Sequence, residues 1–332
     1  MSEYKGIKGF SIQSLSADPS DPNEGQVWYN STSSVWKLTS STTTSSWASG
    51  GNLTYARAGI AGTGTQDAAL AIGGYQSAPP AGQITSTEEY NGASWTAGGN
   101  LGTARNAMAA AGTQTVGLAW GGDAPIPPGP NSNSTEEYDG ATWTAGGNLP
   151  TGVAYQGGTG TQTAALSFGG YPGASINATN EYDGSTWTAG GNLPVSRESF
   201  NGAAGIQTAG LSIGGSPAPT AASFEYDGSA WTAGGNLNTG RGSGAGKGSQ
   251  TAAITFGGNV PPYTGATETY DGSTWTTSPA SLSLARAGGL GGAGTTSAAL
   301  AFGAVPIPGT YTTSTEEYTG AGALQTKTLT TS

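Results

Sequence analysis

The chain has 332 residues, a net charge of −10, and neither cysteine nor histidine. The lack of cysteine excludes disulfides and thiolate metal sites, and the lack of histidine removes the commonest metal ligand and general base. Lysine and arginine together number 10 against 20 acidic residues. This balance disfavours nucleic acid as a partner, because phosphate binding needs a clustered positive surface.

The first 46 residues lie outside the repeats that fill most of the chain. They begin with a stretch that contains Lys5 and Lys8 but no apolar run typical of a signal peptide, so we expect synthesis in a cytoplasm. No segment is apolar over the length of a membrane-spanning helix, and we expect no membrane insertion. Residues 26–30 and 35–38 are typical of the two strands of a β-hairpin.

Six copies of one pattern follow, with a small-residue segment, an apolar segment that ends in Gly-Gly in the first five copies, and a Glu-Tyr-Asp/Asn-Gly sequence that Thr269 and Thr319 alter in the last two. The repeat tyrosines are spaced by 48, 44, 44, 44 and 48 residues, and a tryptophan follows five residues after each of the first five. These tyrosines are Tyr90, Tyr138, Tyr182, Tyr226, Tyr270 and Tyr318. Such a period is typical of propellers, arrays and solenoids. Because Asp-Gly and Asn-Gly are the usual centres of type I′ turns, we expect a tight hairpin after each tyrosine.

The repeat over residues 100–147 predicts four strands. Its small residues 106–112 predict the innermost strand, where backbones crowd together. The apolar run 116–120 predicts a strand that is buried on both faces and ends at Gly-Gly. Glu137 and Tyr138 lie on the third strand, and Trp143 lies on an outer fourth strand. Each repeat is therefore expected to form one antiparallel, four-stranded blade.

Gly-Gly after an apolar strand, followed by Tyr and then Trp at a fixed offset, resembles the kelch repeat. The resemblance covers roughly residues 47–320 and implies an all-β fold, a kelch-like β-propeller of four-stranded antiparallel blades. The tryptophans with this structural role would be Trp47, Trp95, Trp143, Trp187, Trp231 and Trp275. Kelch-like propellers serve mainly as binding platforms and scaffolds, so the fold by itself does not assign a function.

The two ends of the repeat region predict how the propeller closes. Trp47 lies in SWASGGNL, a copy of the fourth-strand sequence SWTAGGNL around Trp95, while the last repeat has Ala323 in the tryptophan position. We therefore expect the Trp47 strand to complete the last of six blades, which removes an unpaired edge. Residues 321–332 would then be an edge strand or a tail. In a seven-bladed alternative, the Trp47 strand, this tail and the N-terminal hairpin form a blade of their own.

Residues 23–32, NEGQVWYNST, resemble a short segment of bacteriophage tail and fibre proteins that can precede Gly/Thr-rich kelch-like repeats. The resemblance implies a structural protein of a virion, attached through residues 1–46. The expected partners are other virion proteins through the N-terminal segment and a host cell-surface glycan or protein.

One position of the repeat holds all five arginines, just before the inner strand. They are Arg57, Arg105, Arg197, Arg241 and Arg286, and Val153 is the exception. In some kelch domains the equivalent arginine lines a pocket for acidic ligands, which a guanidinium suits. The alternative, which we favour, pairs each arginine with the glutamate before the repeat tyrosine. Those glutamates are Glu89, Glu137, Glu181, Glu225 and Glu317, with Thr269 as the exception.

The connection between the second and third strands varies most from repeat to repeat. These connections contain most of the prolines and several aromatics, namely Tyr75, Tyr171, Tyr263 and Tyr311. Propeller geometry places all six connections on one face, beside the arginine positions. Variable loops on a regular scaffold are where recognition is usually built, and exposed tyrosine suits stacking on sugars or anchoring of protein contacts.

The sequence offers no catalytic, metal or cofactor site. The Asp-Gly pairs lack further oxygen ligands at the spacing of a calcium loop. Adjacent glutamates such as Glu88 and Glu89 point to opposite faces of a strand and cannot act as a close acid/base pair. No nucleophile has a base beside it. An enzyme of the sialidase or oxidase type is therefore disfavoured, and we expect a non-enzymatic protein.

Two functions remain open from sequence. The first is a phage virion protein, with the propeller displayed on a tail or fibre for host-surface binding or for particle decoration. The second is a cellular kelch-like adaptor that binds acidic ligands through the ring of arginines.

Overall fold

The computed structural model describes residues 13–20, 23, 25–41, 44–124, 131–198, 200, 202–307, 309–322 and 324–329. Lys5, Lys8 and Ala323 lie outside these residues. The described chain forms two compact units, residues 1–45 with 319–332, and residues 46–318. Its regular structure consists of β-strands. None of the described residues forms an α-helix with the length and apolarity that a membrane crossing requires.

The first unit contains one four-stranded sheet. Its strands are β1 (Gln13–Leu15), β2 (Val27–Asn30), β3 (Val35–Ser41) and β33 (Leu324–Leu329). β1 and β2 are parallel, β2 and β3 form the expected hairpin, and β33 pairs antiparallel with β3. Trp28 is fully buried, and its Nε1 donates to Asp18 Oδ1 at 3.1 Å. Asn30 Nδ2 donates to the same oxygen at 2.8 Å, so Asp18 fixes two residues of the NEGQVWYNST segment.

The second unit contains six four-stranded antiparallel sheets, which we number as blades 1 to 6. Blade 1 consists of β6 (Ala61–Gly64), β7 (Ala69–Ile72), β10 (Thr87–Tyr90) and β11 (Trp95–Ala97). Blade 2 consists of β12 (Ala109–Gly112), β13 (Gly117–Trp120), β14 (Thr135–Tyr138) and β15 (Trp143–Ala145). Blade 3 consists of β16 (Gly157–Gly160), β17 (Ala165–Phe168), β18 (Thr179–Tyr182) and β19 (Trp187–Ala189).

The other three blades have the same order. Blade 4 consists of β20 (Ala203–Ile206), β21 (Ala209–Ile213), β22 (Ser223–Tyr226) and β23 (Trp231–Ala233). Blade 5 consists of β24 (Ala245–Ser249), β25 (Ala252–Phe256), β26 (Ala266–Tyr270) and β27 (Trp275–Ser281). Blade 6 consists of β29 (Gly291–Gly294), β30 (Ala298–Phe302), β32 (Thr315–Thr319) and β4 (Ser46–Ser49). The short strands β5 (Arg57–Ala58), β8 (Tyr75–Gln76), β9 (Gly82–Gln83), β28 (Arg286–Ala287) and β31 (Val305–Pro306) form small sheets in the connections.

The six inner strands form a closed ring. β6, β12, β16, β20, β24 and β29 each lie beside the next, and β29 also lies beside β6. Blade 6 takes its fourth strand from β4, so the predicted completion of the last blade by the Trp47 strand is confirmed. The seven-bladed alternative is correct in joining the N-terminal hairpin to the tail, since β2, β3 and β33 share a sheet, but it is wrong in adding the Trp47 strand, which lies in blade 6. The all-β fold of antiparallel four-stranded blades is confirmed.

Small residues line the ring because the inner strands approach each other closely. A Cβ on Gly62 would lie 2.6 Å from the carbonyl oxygen of Gly292 on the neighbouring blade. Second strands of the blades are buried, as predicted for strands packed on both faces. This holds for all residues of β7, β13 and β17 and for the last four residues of β30. The core is therefore thin and divided into clusters that lie between successive blades.

The Gly-Gly pair after the fourth strand makes room for the next blade. Tyr138 Oη of blade 2 donates to Glu89 Oε1 of blade 1 at 2.6 Å, and it accepts from the backbone N–H of Gly99. A Cβ on Gly98 would lie 2.8 Å from that hydroxyl, and one on Gly99 would lie 2.1 Å from a backbone carbonyl. The same hydroxyl-to-carboxylate bond, 2.5–2.7 Å long, recurs from Tyr90, Tyr182, Tyr226 and Tyr270.

Tryptophan and glutamine side chains also bridge neighbouring blades. Trp Nε1 donates to a threonine Oγ1 of the preceding blade in five cases, which pair Trp47 with Thr267, Trp95 with Thr315, Trp143 with Thr87, Trp187 with Thr135 and Trp231 with Thr179. Trp275 differs because Ser223 replaces the threonine and donates to Gly235 O instead.

Glutamine Nε2 donates to two backbone carbonyls of the preceding blade at Gln66, Gln114, Gln162, Gln207 and Gln250. These glutamines were not among the residues predicted from the sequence.

The Asp-Gly connections are not the expected two-residue type I′ turns. Tyr138 pairs with Trp143, which leaves four residues in the loop. Gly140 has a φ of 93°, but Asp139 is not among the residues with positive φ. Asp139 Oδ1 accepts instead from the backbone N–H groups of Ala141 and Thr142, and these donors lower the pKa of its carboxyl. The aspartate therefore acts as an Asx-type cap of a wider loop.

Candidate functional site

The connections of the second unit lie at two opposite ends of the strands. We call the end with the connections from the second to the third and from the fourth to the first strand the loop face. The end with the connections from the first to the second and from the third to the fourth strand is the turn face. The predicted arginines and tyrosines belong to connections of the loop face.

The arginines lie in the interior, beneath the loop face. Arg57, Arg105, Arg241 and Arg286 are at most 2% exposed, and each has Nη2 within 2.5–3.1 Å of a glutamate Oε1. In blade 2, Arg105 Nη1 also donates to the carbonyls of Gly121 and Ser134, which end the second strand and precede the third. Burial lowers the pKa of Arg105, whereas the charge of Glu136 raises it. Each arginine therefore ties the entry of its blade to two of its strands.

Two blades depart from this pattern, blade 3 at both partners and blade 4 at the glutamate alone. In blade 3, Val153 replaces the arginine and Asn180 replaces the glutamate. In blade 4, Phe224 replaces the glutamate, and the Arg197 guanidinium lies 4.5 Å from the centre of its ring. Burial lowers the pKa of Arg197 to about 10, so it keeps its charge at neutral pH and interacts with the ring as a cation.

The prediction of which glutamates pair with the arginines is wrong, because the observed partner lies one residue earlier in the repeat. The arginines pair with Glu88, Glu136, Glu268 and Glu316, the first members of the paired acidic positions. The expected partners Glu89, Glu137, Glu181, Glu225 and Glu317 accept from the repeat tyrosines instead. Successive side chains of a strand point to opposite faces, so one glutamate faces its own blade's arginine and the other faces the adjacent blade.

The structure brings together two of the four predicted loop tyrosines. Tyr75 of blade 1 and Tyr311 of blade 6 make an edge-to-face contact, with ring centroids 6.0 Å apart. Tyr171 of blade 3 is 40% exposed, and Tyr263 of blade 5 is partly buried. Within the described residues, no ring contact joins these two to another predicted tyrosine.

A cleft of about 490 Å³ opens on the loop face around β8 and β9, and none of the four predicted loop tyrosines lines it. Tyr55, Gln76, Pro79, Pro80 and Gln83 line it, together with the backbone that leads into β10. Tyr55 is 51% exposed, and Gln76 Nε2 donates to Pro80 O at 2.8 Å, which holds the loop in place. Tyr55 was not among the predicted site residues, although it stands where the other repeats have Thr103, Thr151, Val195, Thr239 and Leu284.

The cleft combines an aromatic ring, two proline rings and two side-chain amides. Such a lining suits the apolar face of a pyranose ring together with hydroxyl groups that exchange hydrogen bonds with amides. The carboxylates of Glu88 and Glu136, beneath the loop face, are occupied by the arginines. No group of three acidic side chains that could hold a metal ion is present in the described part of the chain.

Comparisons with known proteins support the fold. No protein-family model matches the chain, and no curated protein matches it in sequence. Among solved structures, the chain is similar to one described as "Structure of YjhT", with a TM-score of 0.66 and 16% sequence identity. The similarity covers 83% of this chain and 99% of that one. At this identity the comparison shows a β-propeller fold.

Proposed function

We propose that this β-propeller is a non-enzymatic structural protein of a bacteriophage virion, which is displayed on a tail or fibre and binds a host-surface glycan through its loop face. The observation that carries the proposal is the loop-face cleft around Tyr55, with its proline and amide lining. Exposed aromatic rings beside amides are suited to sugars, and the connections around them vary on an otherwise repetitive scaffold.

Attachment to the particle is assigned to the first unit. Its NEGQVWYNST segment resembles tail and fibre proteins, and the structure uses Trp28 and Asn30 of this segment to build the sheet around Asp18. Trp36 on β3 is 42% exposed and lies opposite Leu329 on β33, which is also exposed. These apolar side chains are available for a neighbouring virion protein, which would bury them.

The alternative, a cellular adaptor that binds acidic ligands through the arginine ring, has less support. Four of the five guanidinium groups are paired with glutamates inside their own blades, and the fifth stacks on Phe224. An acidic ligand would have to displace these buried partners.

A glycan array tests the recognition site. We expect the wild-type protein to bind a set of host-surface glycans and Tyr55→Ala to lose at least about tenfold in affinity, as for a central aromatic anchor. Tyr171→Ala is the matched control, because it removes an exposed loop tyrosine from blade 3 and should bind as the wild type does. Equal binding by Tyr55→Ala and the wild type would exclude the cleft as the site.

Mass spectrometry of purified particles tests the virion assignment separately. We expect peptides of this chain at a fixed ratio to the other structural proteins, after washing in high salt. Deletion of residues 1–45 together with 319–332 should abolish incorporation, because the proposed attachment unit is then absent. Detection only in the infected-cell lysate would refute a virion role.

A further inference from the structure

The second unit contains a cavity of about 120 Å³ inside its ring of blades. Residues of all six inner strands line it, from β6, β12, β16, β20, β24 and β29. The lining residues stand at the ends of these strands next to the turn face, so the cavity lies on the side of the ring opposite to the loop-face cleft. Glycine, alanine and threonine supply most of the lining.

One inner strand breaks the small-residue pattern. At the third position of β24 the chain has Lys247, where the other blades have Thr63, Ala111, Thr159, Ala204 and Ala293. Lys247 is also the one lysine between residues 46 and 318. A long charged side chain therefore replaces a methyl or a hydroxyl group on the inner ring of strands.

The Lys247 side chain extends across the ring from blade 5 to blade 1. Its Nζ donates to the carbonyl oxygen of Gly62 at 2.8 Å. On the way it passes blade 6 at Gly292, where an added Cβ would lie 3.5 Å from Lys247 Cε. Although the side chain is only partly buried, its surroundings exclude enough water to lower the pKa of the ammonium group to about 8.

The loop-face end of the ring is filled by aromatic side chains. Phe200 of blade 4 is 5% exposed and packs with Ala107 and Ala154, and its ring meets Tyr155 edge to face at 5.4 Å. On the opposite side, a Cβ added to Gly289 would lie 2.5 Å from the Phe200 ring. A ligand would therefore have to enter the cavity from the turn face.

The charge and hydrogen bonds of the lining favour an anion over a cation. Among the described lining residues Lys247 is the one charged side chain, so no carboxylate balances it. The carbonyls of Gly62, Gly112 and Gly205 already accept hydrogen bonds from Lys247, Thr63 and Thr159. A desolvated cation without a counter-charge is unfavourable, and an anion beside it would restore the balance.

We propose that the ring cavity is a binding site for a small oxyanion, a carboxylate or phosphate group, which Lys247 binds by charge and by the ammonium hydrogens that Gly62 does not use. The site is distinct from the loop-face cleft and does not depend on the proposed glycan recognition. It requires a ligand small enough for a cavity of this size, such as acetate, bicarbonate or inorganic phosphate.

Two titrations of the full-length protein, one with acetate and one with inorganic phosphate, test the proposal by nuclear magnetic resonance at constant ionic strength. We expect at least one anion to shift the amides of Gly112 and Gly160 in a saturable manner. The same anion should raise the pKa read from Lys247 Cε, because a bound negative charge stabilises the ammonium form. A saturable response to one anion alone identifies the ligand class.

Two variants separate binding at this site from a general salt effect. Lys247→Met keeps an unbranched side chain and should weaken the anion affinity at least about tenfold. Lys327→Met removes the same charge from β33 of the first unit and should bind as the wild type does. The proposal is overturned by the lack of a saturable response in the wild type, or by an equal response in Lys247→Met.

Discussion

Replacing Arg105 by alanine is expected to lower the free energy of unfolding by about 3–5 kcal/mol, the cost of breaking a buried ion pair. The substitution leaves the Glu136 carboxylate inside the protein, and it removes the donors to the carbonyls of Gly121 and Ser134. Urea unfolding at pH 7, followed by tryptophan fluorescence, measures the change, provided that the transition is two-state.

Blades 3 and 4 supply the controls for this measurement. Arg197→Ala deletes an arginine that faces Phe224, leaves no unpaired carboxylate, and should therefore cost clearly less than Arg105→Ala. The double variant Arg105→Val with Glu136→Asn copies the pair Val153 and Asn180 into blade 2 and should recover part of the loss. Equal costs for Arg105→Ala and Arg197→Ala would contradict the importance of the ion pair.

The fold could be predicted from the sequence because the repeat places aromatic and glycine residues at the same positions in each blade. Tyr138 and Trp143 predicted the third and fourth strands, and Trp47 predicted the strand that completes blade 6. These predictions depend on side-chain size and on the two-residue period of strands, both of which are properties of the local sequence.

The arginine partner was mispredicted because two adjacent glutamates fit the repeat almost equally well. Correlated changes between repeats would have identified the correct one. Arg241 has Glu268 two residues before its repeat tyrosine, whereas the position directly before it is Thr269. In blade 3 the arginine and the glutamate two residues before the repeat tyrosine are replaced together, by Val153 and Asn180. Which face of a strand meets the arginine depends on sheet register, and this is visible only in the fold.

Tyr55 and Lys247 were missed for a different reason. Both are departures from the repeat, whereas the predicted residues were those that recur. Aligning the six repeats would have marked them as exceptions. Their surroundings could not have been predicted, because the cleft is formed by three separate connections and the ring cavity by six strands.

The second unit is expected to unfold between pH 10 and 12, through ionisation of the repeat tyrosines. Burial, and then the hydrogen bond to a glutamate, raises the pKa of five tyrosines to about 12, and these are Tyr90, Tyr138, Tyr182, Tyr226 and Tyr270. In the unfolded chain a tyrosine ionises near pH 10. Above that pH the unfolded state therefore holds fewer protons than the folded state, and stability falls as the pH rises.

The expected loss is large because five groups act together. Each tyrosine makes the folded state hold more protons than the unfolded state over the same pH range, so their effects on the slope of stability against pH add. Lys247 acts in the opposite direction, since its lowered pKa makes the folded state gain stability between about pH 8 and the unfolded value of 10.5. Because Lys247 is a single group, it offsets only part of the stability that is lost through ionisation of the five tyrosines.

Urea titrations at a series of alkaline pH values, with tyrosinate absorbance recorded in parallel, measure this effect. Tyr138→Phe should reduce stability at pH 7, because Glu89 loses its donor, but it should flatten the pH dependence by about one proton. Tyr171→Phe changes an exposed tyrosine and should leave the slope as it is. If the repeat tyrosines ionised near pH 10 while the protein stayed folded, the hydroxyl-to-carboxylate bonds would not be what joins the blades.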